Sequence, residues 1–138
     1  MSAAASVQPG DALPELVTRV GEVQAFAFSA ATHNPHRIHY DLSWARDREG
    51  YPGLVVQGPL QTALMVRQVT DWAGPRARVE SVAISNRAIA HVGQELICRA
   101  EVQDVSPAEP GSRVVIAVTC RRDDTVLAEG QIVVLQSS

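Results

Sequence analysis

The C-terminal half of the chain alternates apolar and polar residues. Leu96, Cys98, Ala100 and Val102 interleave with Ile97, Arg99, Glu101 and Gln103, and the same spacing recurs at Val114, Ile116, Val118 and Cys120. A period of two places one set of side chains on one face, as in a strand with one side buried. The pattern predicts four long strands over 78–92, 94–104, 113–122 and 125–136. Gly93, the run Ser106-Pro-Ala-Glu-Pro-Gly111 and Asp123-Asp124 separate them as turns. Read in order, the four strands suggest a meander.

The N-terminal half has a different rhythm. Residues 14–20 suit a short strand, and 22–31 place Val23, Ala27 and Ala30 at helical spacing. Pro35 closes that region, because the residue before proline avoids the helical conformation. Asp41 is a candidate cap for a further turn of helix over 41–48. Gly50-Tyr-Pro-Gly53 reads as a turn and Leu54-Val-Val as a short apolar run. The longest helix is predicted from Gly58-Pro59 to about Ala73, with proline at a first-turn position where its missing N–H costs nothing. Leu60, Ala63, Leu64, Val66, Val69, Trp72 and Ala73 leave little polar face, so this helix is expected to be wrapped by other structure. The pattern is best satisfied by an α+β domain over 14–138, an antiparallel sheet around one long central helix, preceded by a flexible lead-in over 1–13.

Composition narrows the function. A net charge of −3 gives no basic field, which argues against nucleic acid as a partner. All 12 basic residues are arginine, so Schiff-base and phosphate-loop lysines are excluded. Cys98 and Cys120 lack CxxC spacing and lie in strand-like runs, which suits buried, reduced thiols in a cytoplasmic protein. The N-terminus lacks the basic start and apolar core of a signal peptide, and no apolar run approaches the ~18 residues of a membrane span. A soluble, cytoplasmic domain is expected.

The candidate chemistry lies in Thr32-His-Asn-Pro-His-Arg-Ile-His-Tyr-Asp41, which holds His33, His36 and His39, three of the four histidines in the chain. Histidine exchanges protons near neutral pH, with an unperturbed pKa of about 6.5. A metal site is one reading of this cluster, but Pro35 breaks the helix that would align the three rings, and no cysteine or carboxylate cluster completes the set. Histidines that only satisfy loop hydrogen bonds are another. His91, alone in a predicted strand, reads as a packed or surface residue, and Trp44 and Trp72 as core or interface residues.

Two separated motifs carry a family resemblance. Asn34-Pro35 with Ile38-His39-Tyr40-Asp41, and Gln57-Gly58-Pro59-Leu60 after them, resemble the MaoC-like dehydratases, or hydratase 2 enzymes, of the hotdog superfamily. Asn34 to Asp41 and Gly50-Tyr-Pro-Gly-Leu-Val-Val56 are most similar to a subgroup related to mesaconyl-CoA hydratase and the fungal mitochondrial 3-hydroxyacyl-thioester dehydratase. The resemblance implies a single hotdog fold and reversible addition of water across a 2-enoyl thioester on CoA or a carrier protein. It implies no cofactor, no metal, and a homodimer with the thioester tunnel between subunits.

Residue by residue, the resemblance puts His39 at the position of the family's acid/base histidine and the Gly58 amide at the oxyanion. The family's aspartate falls on Thr32, which has no carboxylate, and the loop after it is two residues longer. His36 or the Thr32 hydroxyl would then orient the water. Asn34 would position that water or the loop, and Arg37 would meet a substrate carboxylate or CoA phosphate, unless it pairs internally with Asp41. Gln57 stands at the substrate where the family often has histidine. The alternatives are a hotdog thioesterase, for which Glu22 and Asp41 supply no obvious carboxylate, a partner-dependent or non-catalytic subunit that binds acyl thioesters, and an enzyme diverted to another elimination or addition.

Overall fold

A computed structural model describes residues 6–137. The elements follow in the order β1 (Leu16–Arg19), α1 (Glu22–Ala31), a 3-10 turn (Arg37–His39), α2 (Leu42–Asp47), α3 (Gly58–Ala73), β2 (Arg78–Asn86), β3 (Glu95–Ala108), β4 (Gly111–Arg122) and β5 (Thr125–Ser137). All strand pairs are antiparallel, and the sheet order is β1-β3-β4-β5-β2.

The expected meander is therefore confined to β3, β4 and β5. β2 does not pair with β3, its neighbour in sequence, but crosses to the far side of β5, with Ile84 opposite Gly130 and Asn86 opposite Ala128. Periodicity reports which face of a strand is buried and says nothing about its partner. β2 also stops at Asn86, and residues 87–92 run on irregularly toward Val55, where His91 forms an isolated bridge. The predicted separator at 106–111 is mostly strand. Pro107 pairs with Ser112 and Ala108 with Gly111, which leaves Glu109-Pro110 as the turn.

The alternation of β3 and β4 gives the core. Leu96, Cys98 and Val102 are fully buried, as are Val114, Ile116 and Cys120, and α3 lies across them. The helix is not wrapped on all sides, as its composition suggested. Leu60, Gln61, Leu64, Met65, Gln68 and Val69 form its buried stripe, whereas Ala63, Arg67, Thr70 and Asp71 face solvent. One glutamine on the buried stripe is held by backbone: Gln68 Nε2 donates to Pro14 O and Cys98 O at 2.8 and 3.0 Å. The two cysteines are free thiols facing each other across β3 and β4, and Cys120 with the surrounding burial pushes the Cys98 thiol up.

The lead-in needs a correction as well. Its first part, 1–5, lies outside the described residues, but the chain that follows is tied to β3. Gly10 N donates to Val102 O at 2.8 Å, Val102 N to Asp11 O at 2.8 Å and Leu13 N to Ala100 O at 2.9 Å. Leu13 is buried in the core. Among the described residues, no helix is long and apolar enough to cross a membrane.

Candidate active site

α1 ends in the way that builds the site. Asn34 N donates to Ser29 O at 2.9 Å and His33 N to Ala30 O at 3.4 Å, while His33 takes φ 53°. This is the 6→1 and 5→2 pair of a Schellman motif, with His33 in the left-handed position that glycine usually fills. Histidine is one of the residues enriched there. α1 packs through Ala25 and Ser29, and the apolar residues at helical spacing lie outside: Val23, Ala27 and Ala30 are exposed, as is Phe26.

The chain then turns sharply. Asn34 Oδ1 accepts from His36 N at 3.2 Å across Pro35, and His36 opens the 3-10 turn. In a 3-10 turn the side chains at i and i+3 eclipse. That geometry stacks His36 on His39, ring centroids 5.8 Å apart and edge to face. Tyr40 closes the turn by donating its hydroxyl to Pro35 O at 2.8 Å and meets Phe26 edge-on.

His39 is the buried member of the cluster, only 7% exposed. Its Nδ1 lies 2.7 Å from Val55 O, and Val55 N donates to Ile38 O at 2.9 Å. A carbonyl only accepts, so Nδ1 carries the proton and Nε2 of the neutral ring keeps its lone pair. Burial lowers the His39 pKa below 6.5, the Val55 carbonyl works against that, and the nearby His36 lowers it further. The ring is therefore held as a neutral base at neutral pH.

The other residues singled out in the sequence have definite places. Thr32 Oγ1 donates to Phe28 O at 2.7 Å, which commits its proton to the end of α1. Arg37 places Nε and Nη2 at 3.0 and 2.6 Å from Asp41 Oδ2, with its guanidinium 4.2 Å over the Trp44 ring. The internal Arg37–Asp41 pair thus stands where a substrate anion was expected. Asp41 caps α2, accepting from Trp44 N at 3.1 Å and Ser43 Oγ at 2.9 Å. The Trp44 amide, Arg37 and Ser43 together hold its carboxyl down at about 2.

Gln57 is also a correction. It is buried, and its Nε2 donates to Ala25 O and Ser29 Oγ at 2.7 and 2.9 Å, fastening α1 to the start of α3. Its Oε1 is buried without a hydrogen-bond partner among the described residues. Gly58 begins α3, and its N–H has no acceptor within the described residues. Gly58 lies three residues beyond Val55, whose carbonyl holds His39, so the two are within about 10 Å along the chain.

One carboxylate escaped the sequence reading. Glu49 Oε1 lies 3.7 Å from His36 Nε2 and 3.4 Å from Trp44 Nε1. Its separation from His36 gave no signal, because the fold of α2 alone brings the two together. A cleft of about 440 Å³ opens beside the turn, lined by Phe26, Ser29, Ala30, His33, Asn34, Pro35 and Tyr40. Neither His39 nor Gly58 lines it. Among the described residues, no three histidine, cysteine or acidic side chains come together as a metal site. His91 places Nδ1 3.2 Å from Leu54 O, on the strand-like run that also holds His39.

The model of a family described as hydroxyacyl-thioester dehydratase type 2 matches residues 3–83. Mesaconyl-C(4)-CoA hydratase of Chloroflexus aurantiacus is 61% identical over 41 residues, 30% of this chain and 15% of that protein. The mitochondrial hydroxyacyl-thioester dehydratase type 2 of Saccharomyces cerevisiae is 37% identical over 53 residues, 38% of this chain and 19% of that protein. The matched segments thus span less than a fifth of the length of either curated relative. Among solved structures, the (R)-hydratase from A. caviae involved in PHA biosynthesis superposes with a TM-score of 0.86 at 20% identity, covering 96% of this chain and 99% of that one. That likeness shows a shared fold.

Proposed function

The chain belongs to the hydroxyacyl-thioester dehydratase type 2 family and has a single hotdog fold, and from that premise we propose that it adds water to, or removes it from, a 2-enoyl thioester. The observation that carries the reading is His39, buried and held with its proton on Nδ1 by Val55 O, three residues before the unpaired Gly58 N–H.

The chemistry then balances with these groups. Nε2 of His39 takes a proton from water as its oxygen bonds to C3 of the enoyl group. The C2–C3 π electrons move toward the thioester, and the Gly58 amide receives the charge that gathers on its oxygen. The thioester carbonyl re-forms as C2 takes the proton from the imidazolium. A helix N-terminus carries partial positive charge and free N–H groups, which suits that oxygen. The role left open by the missing aspartate goes to His36, backed by Glu49 and stacked on His39. Thr32 is less suited, since its hydroxyl proton is committed to Phe28 O.

We also propose that the chain works as a homodimer. β2 is an edge strand whose outer side pairs with nothing within the described residues, and Val82 on it is 41% exposed. An open edge of nine residues is a template for a second strand.

The test is a panel of 2-enoyl-CoAs, crotonyl- and mesaconyl-CoA included, followed by loss of the conjugated thioester absorbance. Wild type is expected to turn over at least one of them, and His39→Ala to lose about 100-fold or more of kcat. Full activity in His39→Ala overturns the role of His39. Release of free thiol without loss of the enoyl group overturns the hydratase reading in favour of a thioesterase.

A further inference from the structure

The atoms nearest to where a Gly58 side chain would start come from a distant part of the fold. A Cβ on Gly58 would lie 2.7 Å from Nδ2, 3.2 Å from Cγ and 3.3 Å from Oδ1 of Asn86. Gly58 does not adopt the positive φ that demands glycine, so its backbone conformation does not require the missing side chain. The space is needed instead by the Asn86 carboxamide.

Asn86 is held there by its own backbone. It ends β2 opposite Ala128, and Arg87 N donates to Leu127 O at 2.7 Å immediately after it. Its carboxamide makes no hydrogen bond within the described residues, and it does not cap α3, whose first turn has no side-chain cap. Asn86 is exposed, and its carboxamide stays free to meet a ligand. A carboxamide pressed against a helix N-terminus that neither pairs nor caps contributes little to the fold.

On the hydratase reading above, we propose that Asn86 Nδ2 is a second hydrogen-bond donor to the thioester carbonyl oxygen, beside the Gly58 N–H. Glycine at 58 lets both donors reach one oxygen. As water adds at C3, charge gathers on that oxygen, and the two N–H groups receive it. When C2 takes its proton the carbonyl re-forms and the product leaves with both donors unchanged. Asn86 thereby brings a β2 side chain into the site, next to the edge proposed to pair with a second copy.

Three measurements test this together. Asn86→Ala is expected to lower kcat about 100-fold on an enoyl-CoA that wild type hydrates, with little change in KM. Asn86→Asp keeps the shape but puts a negative acceptor where a donor stood, and is expected to lose more. Acetoacetyl-CoA, whose enolate has its own ultraviolet band, should be held as the enolate by wild type and not by either variant, which a packing role for Asn86 would not produce. Separately, Gly58→Ala should push the Asn86 carboxamide aside and lose the enolate band as Asn86→Ala does, with little change in unfolding temperature, because the displaced group is the unbonded end of a flexible side chain.

Wild type inactive on every enoyl thioester, both alone and with a co-expressed hotdog partner, overturns the hydratase reading, and the role of Asn86 with it. Active wild type with Asn86→Ala within about twofold, and the enolate band retained, overturns Asn86 alone. Loss of activity in Asn86→Ala without loss of the enolate band also overturns it.

Discussion

Burial, the Val55 carbonyl and the His36 ring all act on the His39 imidazole, and they do not act in the same direction. Burial and His36 favour the neutral ring, while the Val55 carbonyl favours the charged one, and the net shift is downward from 6.5. A histidine whose pKa falls on folding binds its proton more readily in the unfolded chain. Its contribution to stability is therefore complete above about pH 6.5 and is lost as pH falls below 6.5 toward the folded value. Thermal unfolding of wild type and His39→Gln between pH 8 and 5 should show a shallower acid decline in the variant. The acid limb of kcat/KM should lie below pH 6.5, and His36→Ala should move it upward, since one lowering influence is gone. An acid limb above 6.5 contradicts the base role. Asp41 follows the same rule in a more acid window, its carboxyl being held at about 2, so the stability it gives is present above the ordinary carboxylate range and lost as pH falls toward 2.

At the scale of elements, what the sequence could reveal depended on how local the cause was. α1 and α3 were legible because their cues lie in neighbouring residues, helical spacing closed by Pro35 for one and Gly58-Pro59 for the other. The Arg37–Asp41 pair was legible at i,i+4 spacing. The Val55 carbonyl that holds His39 was not, because its partner lies 16 residues away. The inward side of α1 was not legible, because Ala25 and Ser29 are small, and the larger Val23 and Phe26 face out. The β2–β5 pairing was equally hidden, although Gly130 marks it in retrospect. A Cβ at Gly130 would collide with the carbonyl of Ala83 and crowd the Ile84 Cα. Gly130→Ala should therefore push β2 away from β5 and cost about 1–3 kcal/mol or more, as overpacking against a rigid backbone does. Urea unfolding measures this, and a variant as stable as wild type would mean that β2 is loosely held.

For the molecule as a whole, the position of β2 matters more than its length. Being last in the sheet order, it carries Asn86 at one end and an open edge along its side, so the proposed site and the proposed contact between copies share one strand. An unpaired edge with an exposed valine in its middle is a liability unless something covers it. In solution the chain should sediment at twice the 14.8 kDa of one copy. Val82→Asp places a charge on that edge, where Val82 is 41% exposed and outside the core. The variant should keep its fold by circular dichroism while shifting toward the monomer. If the partner completes the site, enoyl-CoA turnover should fall in step with the loss of dimer, and should recover as protein concentration rises. Wild type that is monomeric and fully active across that range rules out the homodimer and leaves the His39 chemistry standing. A wild type that is inert alone but active with a second, different hotdog chain assigns the β2 edge to that partner.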